Sequence, residues 1–122
     1  MIRSILIHPD PRLKKVCDPV GEITPEIKQL AADMLETMYD APGIGLAAPQ
    51  IGESARVVIF GVTANPRYPD AEEVPFTVLV NPVITFLTEQ IEEGWEGCLS
   101  VPGLRGVVPR RTKLRYTGFD ES

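Results

Sequence analysis

Two short segments contain the residues that are best suited to chemistry. Residues 43–50 read Gly-Ile-Gly-Leu-Ala-Ala-Pro-Gln, and residues 96–100 read Glu-Gly-Cys-Leu-Ser. The first segment ends in the side-chain amide of Gln50, whose N–H groups can stabilise a developing oxyanion. The second is centred on Cys98, which can act as a thiolate metal ligand, as a nucleophile or as a small buried apolar side chain. Neither segment alone decides between these roles.

The first segment also matches a dinucleotide-binding fingerprint of the form Gly-x-Gly-x-x-Ala, over residues 43–48. Such a fingerprint follows a strand and opens a helix, whereas this one follows the strongest helical pattern in the chain. We therefore expect no nucleotide site here. Two alternatives remain: a loop whose small residues let the backbone approach a ligand, and a tight turn that ends in a surface glutamine.

The elements that must position these segments begin with one amphipathic helix. Over residues 26–39, apolar side chains recur at the i, i+3, i+4 and i+7 spacing of a single helical face. Thr24 can cap the start of this helix, and Pro25 suits its first position. Pro42 and Gly43 follow its end. The methionines on the apolar face are expected to fill the core.

Strands are predicted from β-branched and apolar runs. They are expected at residues 56–60, 76–80, 83–87, 90–93, 105–108 and 113–118. Residues 63–75 contain three prolines together with acidic and asparagine residues, and we expect them to form an exposed loop. One helix packed on mostly antiparallel strands predicts an α+β fold. The length of 122 residues fits a single domain spanning residues 1–122.

The composition is that of a globular domain, with 43% hydrophobic and 24% charged residues. A net charge of −5 argues against a broad nucleic-acid-binding surface. The basic side chains of residues 105–115 are interpreted as a solvated strand pair. Apolar stretches fall short of the ~20 residues that span a bilayer, so we expect no membrane partner and a cytoplasmic location. Cys17 and Cys98 are expected to be reduced thiols.

Taken together, residues 43–50 and 96–100 resemble the first two signature motifs of peptide deformylases. These are metal hydrolases that remove the N-formyl group from the starting methionine of new polypeptides. The resemblance covers essentially the whole chain and implies a peptide-deformylase-like fold. It also implies N-formylmethionyl peptides as substrates and Fe(II) or Zn(II) as the cofactor.

The resemblance implies roles for individual residues of both motifs. Gln50 and the backbone amide of Leu99 would stabilise the oxyanion, and Cys98 would be a metal ligand. Substrate contacts are implied for five further residues: Ile44, Gly45, Glu96, Gly97 and Arg105. For Glu96 and Arg105, the alternative is a partly exposed salt bridge that supports the second motif.

The third motif of the family, His-Glu-x-x-His, does not occur in the 122 residues, whose single histidine is His8. In the family, this motif supplies two metal ligands and the general base. We therefore expect an N-terminal portion of a complete enzyme that lacks the motif-bearing helix, binds metal weakly and is inactive alone. Any contact with the ribosome would involve residues after Ser122. The alternative is a truncated, non-catalytic homologue that binds peptide or a partner chain.

Overall fold

The computed structural model describes residues 1–62 and 74–120. Within these residues it contains one α-helix and six strands: α1 (Pro25–Asp40), β1 (Gly45–Ala47), β2 (Val57–Val62), β3 (Val74–Phe86), β4 (Ile91–Cys98), β5 (Val101–Arg111) and β6 (Leu114–Phe119). Antiparallel pairing in the order β1-β2-β3-β6 forms a four-stranded sheet, and β4 and β5 form a separate hairpin. The architecture is α+β, as the sequence predicts.

Helix α1 begins and ends close to the predicted positions. The Oγ1 atom of Thr24 accepts a hydrogen bond from the Ile27 N–H at 3.4 Å, and Pro25 occupies the first helical turn. After the helix, the Gly43 N–H donates to the carbonyl of Met38 at 2.8 Å, which directs the chain toward β1. No helix in the described part of the chain is long and apolar enough to cross a membrane.

The core lies between α1 and the part of the sheet formed by β1, β2 and β3. Its buried apolar side chains all fall between residues 30 and 80: Leu30, Ala31, Met34, Met38, Leu46, Ala48, Ile51, Val57, Ile59, Val78 and Val80. Met34 and Met38 are at most 1% exposed, which confirms their predicted place in the core. Strands β4, β5 and β6, which the structure describes in full, contribute none of these side chains.

The two strands predicted at 76–80 and 83–87 are wrong as separate elements, because β3 runs through both. Asn81 lies between them with a φ of 53°, and the pairing register shifts around it. Its side chain accepts from the Val20 N–H and donates to the Val20 carbonyl, both at 2.7 Å. Asn-Pro is typical of a turn, but these tertiary hydrogen bonds hold it as an irregularity within one strand.

The hairpin strands are longer than the predicted strands at 90–93 and 105–108. β4 and β5 pair along their whole length, from Ile91 opposite Arg111 to Cys98 opposite Val101. This pairing extends strand structure across the glycines, whose own propensity for strands is low. The predicted strand at 113–118 is confirmed as β6.

The predicted loop at residues 63–75 lies outside the described residues except for Val74 and Pro75. These two residues begin β3, so the prediction was wrong for them. Strand β1 was not predicted, because its three residues lie inside a segment rich in glycine and alanine. It forms because β2 supplies a pairing partner, with Leu46 opposite Ile59.

Candidate active site

The side-chain amide of Gln50 is held in one orientation. A short 3-10 helix, Ala48–Ile51, follows β1 directly, and the Oε1 atom of Gln50 accepts from the Ala47 N–H at 2.9 Å. This bond fixes which end of the amide carries the donors. The Nε2 atom donates to Ser100 Oγ at 3.1 Å and to Cys98 Sγ at 3.7 Å. The donors of Gln50 therefore point at the second segment.

Residues 98–100 form the tip of the β4–β5 hairpin. Strand β4 ends at Cys98 and β5 begins at Val101, so Leu99 and Ser100 make the two-residue connection. Cys98 is exposed and Leu99 is half-buried, whereas Ser100 is only 3% exposed. The tip thus presents a thiol at the surface beside a buried hydroxyl that holds the Gln50 amide.

Gly43 allows the two segments to pack closely. A Cβ atom on Gly43 would lie 2.7 Å from Leu99 Cδ1 and 3.4 Å from Leu99 Cγ. The shorter distance is well inside the 3.5–4.0 Å of optimal carbon–carbon contact. A larger residue at position 43 would therefore push aside the side chain of Leu99, the residue whose backbone amide is a predicted oxyanion donor.

Both segments line one surface cavity of about 330 Å³. Its walls come from the first segment and from the hairpin: Gly43, Ile44, Gly45, Gln50, Trp95, Glu96, Gly97, Cys98 and Leu99. All residues with a predicted role line this cavity except Arg105, which lines a neighbouring hairpin cavity together with Glu96, Gly97 and Cys98. A cavity of this size, with a few convergent polar groups, is typical of a small-ligand site.

The carboxylate of Glu96 is held by Arg110. It accepts two hydrogen bonds from Arg110, from Nε at 2.8 Å and from Nη2 at 2.7 Å. This two-pronged pair lowers the pKa of Glu96 below its ordinary value. Arg105 lies opposite Gly97 in the strand pairing. A salt bridge is therefore present at Glu96, with Arg110 as its partner, and the substrate contact of Glu96 stays a prediction.

The described residues do not form a complete metal site. Catalytic zinc sites have three protein ligands, and residues 1–62 and 74–120 contain no group of three or more His, Cys, Asp or Glu side chains that could hold a metal ion. Two lining residues of this cavity have side chains that can ligate a metal: Cys98, whose thiol is free and exposed, and Glu96, whose carboxylate is paired with Arg110. His8 approaches the hairpin through its backbone, since its N–H donates to the Ser100 carbonyl at 2.7 Å.

Comparison with known proteins defines the family. The family model for polypeptide deformylases matches residues 2–122. Peptide deformylase 1 of Nitrosomonas europaea is 60% identical over 121 residues, which cover 98% of this chain and 69% of that protein. Peptide deformylase 2 of Ralstonia nicotianae is 61% identical over 122 residues, with 99% and 69% covered. The chain therefore belongs to the polypeptide deformylase family, a family of metal-dependent hydrolases.

Solved structures agree with this assignment. The Met-Ala-Ser-bound class I type b peptide deformylase from Acinetobacter baumannii has a TM-score of 0.93 and 36% sequence identity, and the match covers 99% of this chain and 78% of that one. The peptide deformylase from Legionella pneumophila has a TM-score of 0.85 and 41% identity, with 99% and 67% covered. The likeness in fold thus extends over nearly the whole chain.

Sequence reasoning missed several residues that build the site. Ala47 and Ser100 orient the Gln50 amide, and Arg110 holds Glu96. Ser100 was part of the second motif, but nothing in the spacing indicates that its hydroxyl meets a side chain 50 residues earlier. Trp95 lines the cavity although it is 70% exposed. The available sequence signal for a contact residue was that the single tryptophan of the chain directly precedes the second motif.

Proposed function

We propose that this protein takes part in hydrolytic removal of the N-formyl group from the N-terminal formylmethionine of newly made polypeptides. The observation that carries the proposal is the convergence of Gln50 and the hairpin tip on one cavity, with Gln50 Nε2 3.7 Å from Cys98 Sγ. The cavity brings together the Gln50 amide donors, the Cys98 thiol and the backbone of the hairpin tip. This combination is suited to polarising a small carbonyl group.

The proposed roles follow from this arrangement. Gln50 Nε2 and the Leu99 N–H donate to the formyl oxygen as it gains negative charge during attack on the formyl carbon. Each such donor contributes a few kcal/mol when it is fixed in place before the reaction. Gln50 is fixed by Ala47 and Ser100. The N–H of Gln50 that now faces Cys98 Sγ at 3.7 Å is the one that would turn to the formyl oxygen.

The substrate peptide is proposed to lie between β1 and β4. In the described sheet, β1 pairs only with β2 and forms one end of the strand order. Its outer edge can accept an extended peptide as an added strand. Ile44 and Gly45 would contact the peptide from that side, and Glu96 and Gly97 from the hairpin side. Arg105, which lines the neighbouring cavity, is proposed to contribute positive charge in the surroundings of Glu96.

The metal-dependent part of the reaction needs more than these residues supply. Cys98 suits Fe(II) or Zn(II) as one thiolate ligand, and the 122 residues contain one histidine and no His-Glu-x-x-His string. We propose that the chain is a single domain that binds the formylated peptide and orients its carbonyl group. The general base and further ligands would come from outside these residues. Because ribosomal products are the proposed substrates, we also propose a cytoplasmic location.

A binding experiment tests the orienting role. Trp95 is the single tryptophan and lines the cavity, so its fluorescence reports occupancy. We expect formyl-Met-Ala-Ser to bind about tenfold more tightly than Met-Ala-Ser, about 1.4 kcal/mol. Gln50→Ala should remove most of this preference. Gln90→Ala, which truncates an exposed glutamine outside the cavity, is the matched control and should keep it. Equal affinity of the intact chain for both peptides would contradict the proposal.

Turnover is tested separately by formate release with added Fe(II) or Zn(II). Binding without release is the expected result for the 122 residues. Release by these residues alone would contradict the proposal that the base lies outside them. In any form of the enzyme that turns over, Gln50→Ala should lower kcat more than about tenfold, and an unchanged kcat would refute the role of Gln50.

A second candidate is a non-catalytic protein that binds peptide or a partner chain. It draws support from apolar side chains on β3 and β6 that are largely exposed, among them Ile84 at 60% and Phe119 at 67%. Large exposed apolar patches commonly mark interaction surfaces. A stable complex with another chain, together with binding of formylated peptide that never leads to formate release under any metal condition, would favour this candidate.

A further inference from the structure

The first residues of the chain connect the two halves of the candidate site. The Leu6 N–H donates to the backbone carbonyl of Gln50 at 2.7 Å, and the His8 N–H donates to the carbonyl of Ser100 at 2.7 Å. Residues 3–8, which we call the N-terminal strap, therefore bind the residue that carries one proposed oxyanion donor. His8, two residues after Leu6, binds the hairpin tip, which carries the other proposed oxyanion donor, the Leu99 N–H.

The strap is attached to α1 by Arg3. Arg3 Nε and Nη2 donate to Asp33 Oδ2 at 3.1 Å and 3.0 Å, and the Arg3 N–H donates to Thr37 Oγ1 at 2.8 Å. Asp33 and Thr37 are 3% and 2% exposed. Asp33 Oδ1 also accepts from Gln29 and from the α-ammonium of Met1. The carboxylate is thus buried and fully engaged.

A buried carboxylate depends on its partners. Removing Arg3 would leave Asp33 Oδ2 without its charged donors and the carboxylate with the Met1 ammonium as its remaining cation in the described contacts, which costs more than losing an exposed pair would. The guanidinium also meets Asp33 with two donors, which restricts its orientation more than a lysine would. Arg3 is consequently fixed in place, and Leu6, only three residues later, is restricted with it.

This attachment matters because, among the described strands, no β-ladder joins the two halves of the site. Gln50 follows β1 of the four-stranded sheet, whereas Cys98, Leu99 and Ser100 belong to the separate β4–β5 hairpin. Their relative position depends on the Gln50–Ser100 hydrogen bond, on the packing of Gly43 against Leu99 and on the strap.

We propose that the N-terminal strap is a positioning element of the site. The Arg3–Asp33 pair holds the Leu6 and His8 amides where they set the spacing between Gln50 and the hairpin tip. Arg3 is a positioning residue, 47 positions from Gln50 in sequence, that acts through backbone hydrogen bonds. The expected effect of Arg3 on substrate binding rests on the proposed function, whereas the coupling of Arg3 to the positions of Gln50 and the hairpin tip does not.

The coupling is tested by amide hydrogen exchange and nitrogen-15 NMR on the full 122-residue chain. In Arg3→Gln, exchange at Leu6 and His8 should rise at least about fivefold, and the signals of the Gln50 side-chain amide and the Leu99 N–H should shift. Arg12→Gln is the matched control. It breaks a similar but exposed arginine–aspartate pair just beyond the strap, between Arg12 and Asp10, and should leave these signals unchanged.

The milder variant Arg3→Lys keeps the charge but loses the two-pronged geometry, and it serves if Arg3→Gln fails to fold. It should give smaller changes in the same direction. Unchanged Gln50 and Leu99 signals in a folded Arg3 variant would overturn the proposal, even if Leu6 and His8 exchange faster. Equal shifts in Arg12→Gln would also overturn it, because the effect would then be unspecific.

The functional consequence is read from the same fluorescence titration. Arg3→Gln should weaken binding of formyl-Met-Ala-Ser about threefold or more, and in the Gln50→Ala background it should have little further effect, as expected for residues that act through one another. Full additivity would overturn the positioning role. If the unmodified chain does not prefer the formylated peptide, the proposed function fails, and the NMR comparison alone decides the inference.

Discussion

The region from residues 30 to 80 and the β4–β5 hairpin differ in how they are held together. The first contains every buried apolar side chain of the described core. The hairpin is held by its own backbone pairing and exposes Trp95 and Leu104 at 70% and 68%. One half of the candidate site is thus supported by a packed core, and the other half by the backbone hydrogen bonds between β4 and β5. Placement of the hairpin depends on a few contacts with the first region.

The largest expected contrast is between two leucines. Leu30→Ala removes a side chain that is 7% exposed and should lower the free energy of unfolding by about 2–5 kcal/mol, because the cavity cannot close fully. Leu104→Ala makes the same change at an exposed hairpin position and should stay within about 0.5 kcal/mol. Urea denaturation measures both. Comparable losses would mean that the hairpin packs as tightly as the core.

Acid should weaken the packed region through Asp33. Hydrogen bonds from the α-ammonium of Met1, from Gln29 and from Arg3 lower the pKa of Asp33 from 3.8 to about 2. Since the folded state favours the charged form, this stabilisation is present above pH 3.8 and is lost as the pH falls through about 2.

Urea denaturation across that pH range should therefore show a drop that Asp33→Asn largely abolishes. Glu96→Gln removes a carboxylate whose side chain is 39% exposed and should leave the drop in place. A pH profile that is the same in Asp33→Asn as in the unmodified protein would show that other carboxylates cause the acid loss.

The contact between the two regions is probed at Gly43. Gly43→Ala introduces a Cβ only 2.7 Å from Leu99 Cδ1 and should cost about 1–1.5 kcal/mol, because the half-buried Leu99 side chain must turn aside. Leu99→Ala in the same chain should recover most of that loss, because it removes the clashing atom. Gly94→Ala, where no atom lies within 4 Å, is the control for adding a methyl group. Additive losses in the double variant would exclude the steric explanation.

The smallest expected effect is at Ser100. Ser100→Ala removes the acceptor of the Gln50 Nε2 hydrogen bond and should lower the free energy of unfolding by about 1 kcal/mol. It should also broaden or shift the Gln50 side-chain NMR signal. Ser4→Ala, at an exposed position, should do neither. An unperturbed Gln50 signal in Ser100→Ala would mean that Ala47 alone orients the amide.

Local patterns predicted much of the fold. The 3.6-residue period and the Thr24–Pro25 start placed α1 to within one residue at each end, because these signals act within one turn of the helix. Predictions failed where distant partners decide the outcome. Asn81 and Pro82 suggest a turn, yet the backbone of Val20 holds Asn81 within a continuous strand.

By itself, the sequence determined the family through the motifs at residues 43–50 and 96–100, and the fold class through its helix and strand patterns. The same two motifs contain every residue that lines the cavity except Trp95. Only the tertiary structure decided how the segments meet. The contacts of Gln50 with Ser100, Glu96 with Arg110 and Arg3 with Asp33 are made between side chains 14 to 50 positions apart. Such contacts depend on how strands and loops stack in space, and no local periodicity encodes that.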